Sequence, residues 1–176
     1  MKKIRGWQRA FLITFVLFAF FFSSLMTNAE TITNFTDIQE HWAVNSIDKW
    51  ASEGLAGGYP DGTFQPDRNV TRAEFMAWVN RAFGYKETVP HSFSDVSESD
   101  WFALEIAKAQ AVGYIGGYPD GTVKPNHSIS RQEVAVVLAK ILDPKSTSLN
   151  LAGKFTDSAN IPEWSELAIS KVVNSG

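Results

Sequence analysis

Two arginines stand in the same local setting 59 residues apart, Arg72 in "VTRAEF" and Arg131 in "ISRQEV". In each stretch a hydroxyl residue (Thr71, Ser130) precedes the arginine and a glutamate (Glu74, Glu133) follows three positions after the hydroxyl. This is the capping box that opens a helix: the hydroxyl accepts from the N3 amide and the glutamate reaches back to the cap amide. Val70 with Phe75, and Ile129 with Val134, form the apolar staple around it. The box accounts for the hydroxyl, the glutamate and the staple, but it does not explain the arginine. At N1 a cation meets about half a positive charge and unpaired N–H groups, at a cost of roughly 0.3–1 kcal/mol. A planar guanidinium beside free helical amides is suited to a carboxylate or a phosphate. The plainer alternatives are that each arginine extends to a nearby aspartate or is simply solvated.

The elements that would position these arginines recur with them. "GGYPDGT" occupies residues 57–63 and again 116–122, and "FTDIQEHW" at Phe35–Trp42 meets "FSDVSESDW" at Phe93–Trp101 with one residue inserted. Between those landmarks Ile47 pairs with Ile106, Lys49 with Lys108 and Gly54 with Gly113, and past the heptapeptide Pro66 pairs with Pro125. A third copy starts at "FTDSANIPEW" (Phe155–Trp164), continues through Ile169 and Lys171, and reaches Gly176. A fixed period means stacked units that each lack a full core alone. The units span 33–86, 91–144 and 153–176, the last holding only the first half of the pattern. Each complete unit reads as helix, loop, helix, so the fold class is mostly α. Val44, Ile47, Ala51 and Leu55 form one helical face, Gly54 stops that helix, and "YPDG" has the residues of a type I turn. Gly57 and Gly116 are expected at positive φ after the helix. Gly58 and Gly117, lacking side chains, would let a ligand lie against the backbone. Trp42, Trp101 and Trp164 open their helices; an aromatic there is more often buried, and if exposed it offers a face for a sugar.

Composition closes off several function classes. There is no cysteine, so neither a disulfide framework nor a thiolate metal site exists. His41, His91 and His127 fall at unrelated places in the units, which argues against zinc, and "PDGTFQPD" lacks the order of a calcium loop. No Gly-Lys-Ser/Thr follows the glycines, so no nucleotide phosphate loop is present. Acids placed once per unit, such as Asp37 and Asp95, read as repeated structure rather than as the asymmetric pair of a glycosidase. No catalytic constellation and no cofactor is expected. "MKKIRGWQR", the 13-residue apolar run "AFLITFVLFAFFF" and "SSLMTNA" have the layout of a secretory signal with cleavage after Ala29. The run is too short for the roughly 20 residues of a spanning helix, so no stable membrane insertion is expected after cleavage. Without residues 1–29 the net charge is near −7, which excludes a broadly basic nucleic-acid surface.

The ordered set of Phe35, Asp37, Trp42, Gly57–Thr63, Pro66 and Thr71–Glu74, repeated in the second unit with "SRQE" for "TRAE", resembles the S-layer homology (SLH) domain of bacterial cell-surface proteins. The resemblance covers nearly all of residues 33–176. It implies a pseudo-threefold helical bundle and a secreted protein held at the cell wall, in an S-layer, by non-covalent binding of a pyruvylated secondary cell-wall polysaccharide in grooves between units. It further implies that Arg72 and Arg131 meet the pyruvyl carboxylate and that Asp37, Asp95 and Asp157 hold the sugar. Gly58 and Gly117 would line the grooves, with Trp42 and Trp101 as stacking faces. The incomplete third unit departs from the pattern, bringing no arginine of its own and no ring closure, and leads to the expectation that the sequence is a fragment of a longer protein. Two alternatives remain: a protein–protein module of a surface assembly, or the N-terminal anchor of a larger secreted glycan-active enzyme.

Overall fold

The computed structural model describes residues 34–143, 151 and 154–174. The signal segment assigned to residues 1–29, most of the linker at 143–150 and Gly176 lie outside them. The chain from Phe35 onward forms one compact unit and is helical: α1 (Val44–Ser52), α2 (Arg72–Phe83), α3 (Ala103–Val112), α4 (Arg131–Leu142) and α5 (Glu163–Val173). A short 3-10 turn, Ser158–Asn160, precedes α5.

Both capping boxes form. Thr71 Oγ1 accepts from the Glu74 amide while Glu74 Oε2 accepts from the Thr71 amide at 2.8 Å. Ser130 and Glu133 repeat the exchange at the start of α4. The first-helix expectation needs trimming: α1 ends at Ser52, so Leu55 of the expected stripe lies beyond it, half-buried in the turn that follows. Its stop is the left-handed Gly54, and α3 ends the same way at Gly113. Gly57 and Gly116 do not take positive φ, because the chain has already reversed one turn earlier.

The helices pair between units rather than within them. α2 packs on α3 of the next unit, and α4 packs on α5 of the third. The larger core is therefore shared. Ala73, Met76 and Val79 of α2 meet Ile106 and Ala109 of α3 and Phe102 at its N-cap, with Tyr114, Val123 and Val137 beside them. A smaller cluster of Phe35, Ile38, Ile47 and Ala51 serves the first unit. This is the stacking that a repeat without its own core requires.

A buried polar network sits in the shared core. Asn80 of α2 donates to the Glu105 backbone carbonyl at 2.9 Å and to its carboxylate at 2.7 Å, while Tyr114 donates its hydroxyl to Asn80 Oδ1 at 2.7 Å. Burial pushes the Tyr114 phenol above its ordinary value, aided by the Glu105 charge.

Candidate functional site

The repeated heptapeptide builds the same loop twice. Tyr59 accepts at its carbonyl from the Gly62 amide at 3.0 Å, the closure of the expected turn, and Asp61 Oδ1 accepts from the Thr63 amide and hydroxyl. Tyr118, Gly121, Asp120 and Thr122 repeat every bond. The hydroxyl of Asp61's partner Thr63, and that of Thr122 for Asp120, head the causes that hold both carboxyls below the ordinary range. The tyrosine then ties the loop to the capping box. Tyr59 donates to Glu74 Oε1 at 2.7 Å, and Tyr118 donates to Glu133 Oε1 at 2.5 Å. Sequence reading missed this link, and its signal was the otherwise unneeded identity of the tyrosine.

The aspartates near each unit's start grip the far side of that loop. Asp37 accepts from the Phe64 and Gln65 amides at 2.8 and 2.7 Å, and Asp95 from the Val123 and Lys124 amides at 2.9 and 2.8 Å. Gln65 and Lys124 are left-handed at φ 56° and 50°, so the carboxylate clamps a bend that a non-glycine residue otherwise resists. The Phe64 amide leads the causes that lower the Asp37 carboxyl. Asp157, at the same place in the third unit, is exposed, and its carboxylate has no hydrogen bond or ion pair among the described residues.

Gly58 and Gly117 are needed for packing. A Cβ on Gly58 would overlap the Phe35 ring and the Thr63 carbonyl, and one on Gly117 would overlap the Phe93 ring. The space a side chain would take is filled by the unit's own first aromatic. The helix-opening tryptophans are exposed: Trp42 is 89% accessible, with Trp101 and Trp164 near 60%.

The two arginines occupy different surroundings. Arg72 is 6% exposed. Its Nε donates to the Val123 carbonyl at 2.8 Å, one terminal nitrogen donates to Glu133 Oε1 at 2.7 Å, and the guanidinium lies 4.9 Å above the Tyr118 ring. The amides of Arg72 and Ala73, the first two of α2, donate to the His127 and Pro125 carbonyls at 2.9 Å each. Burial pushes the Glu133 carboxyl up. Hydrogen bonds from the Ser130 amide, the Tyr118 hydroxyl and the Ser130 hydroxyl, with the Arg72 charge, outweigh that and hold it below its ordinary value.

At the corresponding place on α4 these partners are missing. Arg131 is exposed, and its guanidinium makes no hydrogen bond or ion pair among the described residues. The Arg131 and Gln132 amides likewise have no such partner. Arg131 and Asp157 line one groove of about 730 Å³ whose floor is apolar, with Ala135, Leu138, Phe155 and Ile169. Asp37, Asp95 and Arg72 therefore sit at bonds between loops and units, and Arg131 and Asp157 face an open groove.

A second groove, of about 490 Å³, lies beside the first unit's loop and is lined by Tyr59, Arg68, Glu74, Trp78, Arg81 and Trp101. Arg68 bonds to Tyr59 and Glu74 there, in the manner of Arg72 on Tyr118 and Glu133. No repeat signal marks Arg68, because His127 stands at its place in the second unit. Among the described residues no cluster of His, Asp or Glu could hold a metal ion, and no helix is long and apolar enough to cross a membrane.

Residues 34–76 and 92–135 each match the family model of the S-layer homology domain. The chain is 34% identical over 148 residues to cell surface glycoprotein 1 of Acetivibrio thermocellus, covering 77% of this chain and 6% of that protein. It is 40% identical over 116 residues to the cellulosome-anchoring protein of the same organism, covering 62% and 26%. It is 30% identical over 127 residues to the surface layer protein of Brevibacillus choshinensis, covering 69% and 11%. The chain thus spans about a quarter or less of the length of these relatives. The two matches to the family model, with relatives of 30% identity or more across most of this chain, place the chain in the S-layer homology domain family, a module that attaches surface proteins non-covalently to the cell wall.

Proposed function

We propose that the chain anchors an exported protein to the wall by binding a pyruvylated secondary cell-wall polysaccharide, with Arg131 as the group that meets the pyruvyl carboxylate. Asp157, on the same groove, accepts from sugar hydroxyls. The observation that carries this reading is internal: one repeat earlier, the arginine at the same place already holds a carboxylate, that of Glu133. Arg131 presents the same fork, together with two unpaired first-turn amides, to an open groove. A neutral glycan would leave that charge unanswered.

The test is binding to protein-free wall polysaccharide before and after removal of its pyruvate. Binding that survives depyruvylation contradicts the reading. The Arg72–Glu133 bond also favours a second reading, in which an acidic side chain of a partner protein takes the seat; that reading predicts no binding to polysaccharide stripped of protein.

A further inference from the structure

We propose that Asn80, Glu105 and Tyr114 form a pairing key that makes α2 select the first helix of the next repeat over the other first helices of the chain. The repeat itself creates the need for a choice. α1, α3 and α5 open their units in equivalent places and carry an isoleucine at the same position, Ile47, Ile106 and Ile169. Apolar contact separates such helices weakly, because cores accept apolar side chains of about the right size. The competitor is also within reach, since Trp50 of α1 touches Trp78 of α2 edge-on, ring centroids 6.4 Å apart. Yet α2 packs on α3 rather than on α1 of its own repeat.

The key is polar, buried and specific to this pair of helices. Asn80 and Tyr114 are each 2% exposed. The Asn80 amide donates to both the carbonyl and the carboxylate of Glu105, and its oxygen accepts from Tyr114. Lys108, one turn on, holds the other Glu105 oxygen at 2.9 Å. α1 is followed by Leu55 at the place of Tyr114 and has Ser46 at that of Glu105, α5 has Ala168 at that of Glu105, and α4 has Ala139 at that of Asn80. Pairing α2 with α1 would set Asn80 against a side chain two carbons shorter and offer its oxygen no hydroxyl. Pairing α4 with α3 would set a methyl where the Tyr114 hydroxyl finds the Asn80 oxygen. Each buried group left unpaired disfavours the wrong assembly by roughly five- to hundredfold, as a single buried asparagine does in fixing the register of a coiled coil. One key is enough: once α2 holds α3, α5 is left to α4, and that pair lines the groove of Arg131 and Asp157.

Residues 30–176, which contain the whole compact unit, keep five of the six tryptophans, all but Trp7, and their indole N–H resonances report how many arrangements coexist. The unaltered protein should give one set of five. Asn80→Ala strands Glu105 and Tyr114 and should lower the urea midpoint; adding Glu105→Ala and Tyr114→Phe removes the stranded groups and should recover part of it. In that triple variant the α2–α3 contact is as apolar as the α4–α5 contact. Trp50 and Trp78, on the competing helices, should then give doubled or exchange-broadened resonances. Gly58→Ala, which disturbs packing inside one repeat, should lower the midpoint and keep one set of five, so lost stability alone does not multiply resonances. A triple variant with five sharp resonances, or one that no longer folds, would overturn the proposal, and so would doubling in Gly58→Ala. The spectra need no ligand, so the outcome is independent of wall attachment through Arg131.

Discussion

Arg72 of the first repeat and Glu133 of the second are joined guanidinium to carboxylate at 2.7 Å across 61 residues of chain, both largely out of water. The arginine at the start of α2 is thereby a bolt between repeats, while its counterpart Arg131 has no such partner among the described residues.

That difference predicts opposite costs for the same substitution. Arg72→Ala leaves Glu133 buried without its cation and should destabilise the protein by about 3 kcal/mol. Arg131→Ala removes an exposed side chain without a bond and should stay within about 0.5 kcal/mol. Urea denaturation monitored by helical circular dichroism measures both; equal losses would sink the distinction.

The aspartates should divide the same way. Asp95→Ala frees the Val123 and Lys124 amides and releases a left-handed bend, at a cost of about 1–3 kcal/mol. Asp157→Ala touches no bond and should leave the thermal midpoint in place while weakening wall binding.

Gly58→Ala and Gly57→Ala, neighbours in sequence, should differ. At Gly58 the new methyl collides with the Phe35 ring and a backbone carbonyl, whereas at Gly57 nothing lies within 4 Å. The former should cost about 1–3 kcal/mol, the usual range for overpacking, and the latter should be close to neutral. A fall in midpoint for Gly57→Ala matching that for Gly58→Ala would refute the packing role of Gly58.

Stability should fall at both ends of the pH scale. Glu133 has its carboxyl lowered in the folded protein. Its contribution is complete above the ordinary glutamate value of 4.5 and is lost as pH falls through the lower folded value. Tyr114 is raised by burial, so its contribution is complete below pH 10.0 and is lost as pH rises through the higher folded value. Glu133→Gln should flatten the acid limb and Tyr114→Phe the alkaline limb in denaturation series against pH.

The elements were legible in the sequence wherever the cause is local. Thr71 with Glu74, and Pro60 with Gly62, name their own hydrogen bonds by spacing alone, and both formed. Partners set by packing were not legible. Nothing in the spacing of Arg72 points to Glu133, because a repeat period says that units stack and leaves open which helix of one meets which helix of the next. The same limit applies to Asp37 and Asp95, whose clamps close on left-handed Gln65 and Lys124, residue types that carry no turn signal. Trp42 and Trp101, expected more often inside, are outside because α1 and α3 bury a different stripe, through Ile47 and Ile106.

Arg131 carries the account of function, and one sedimentation experiment addresses it. Arg131→Gln and the unaltered protein are spun with purified cell walls, with circular dichroism confirming equal helix content. The account predicts that the unaltered protein pellets with pyruvylated walls and that the variant stays in the supernatant. A variant that pellets as well as its parent would contradict it.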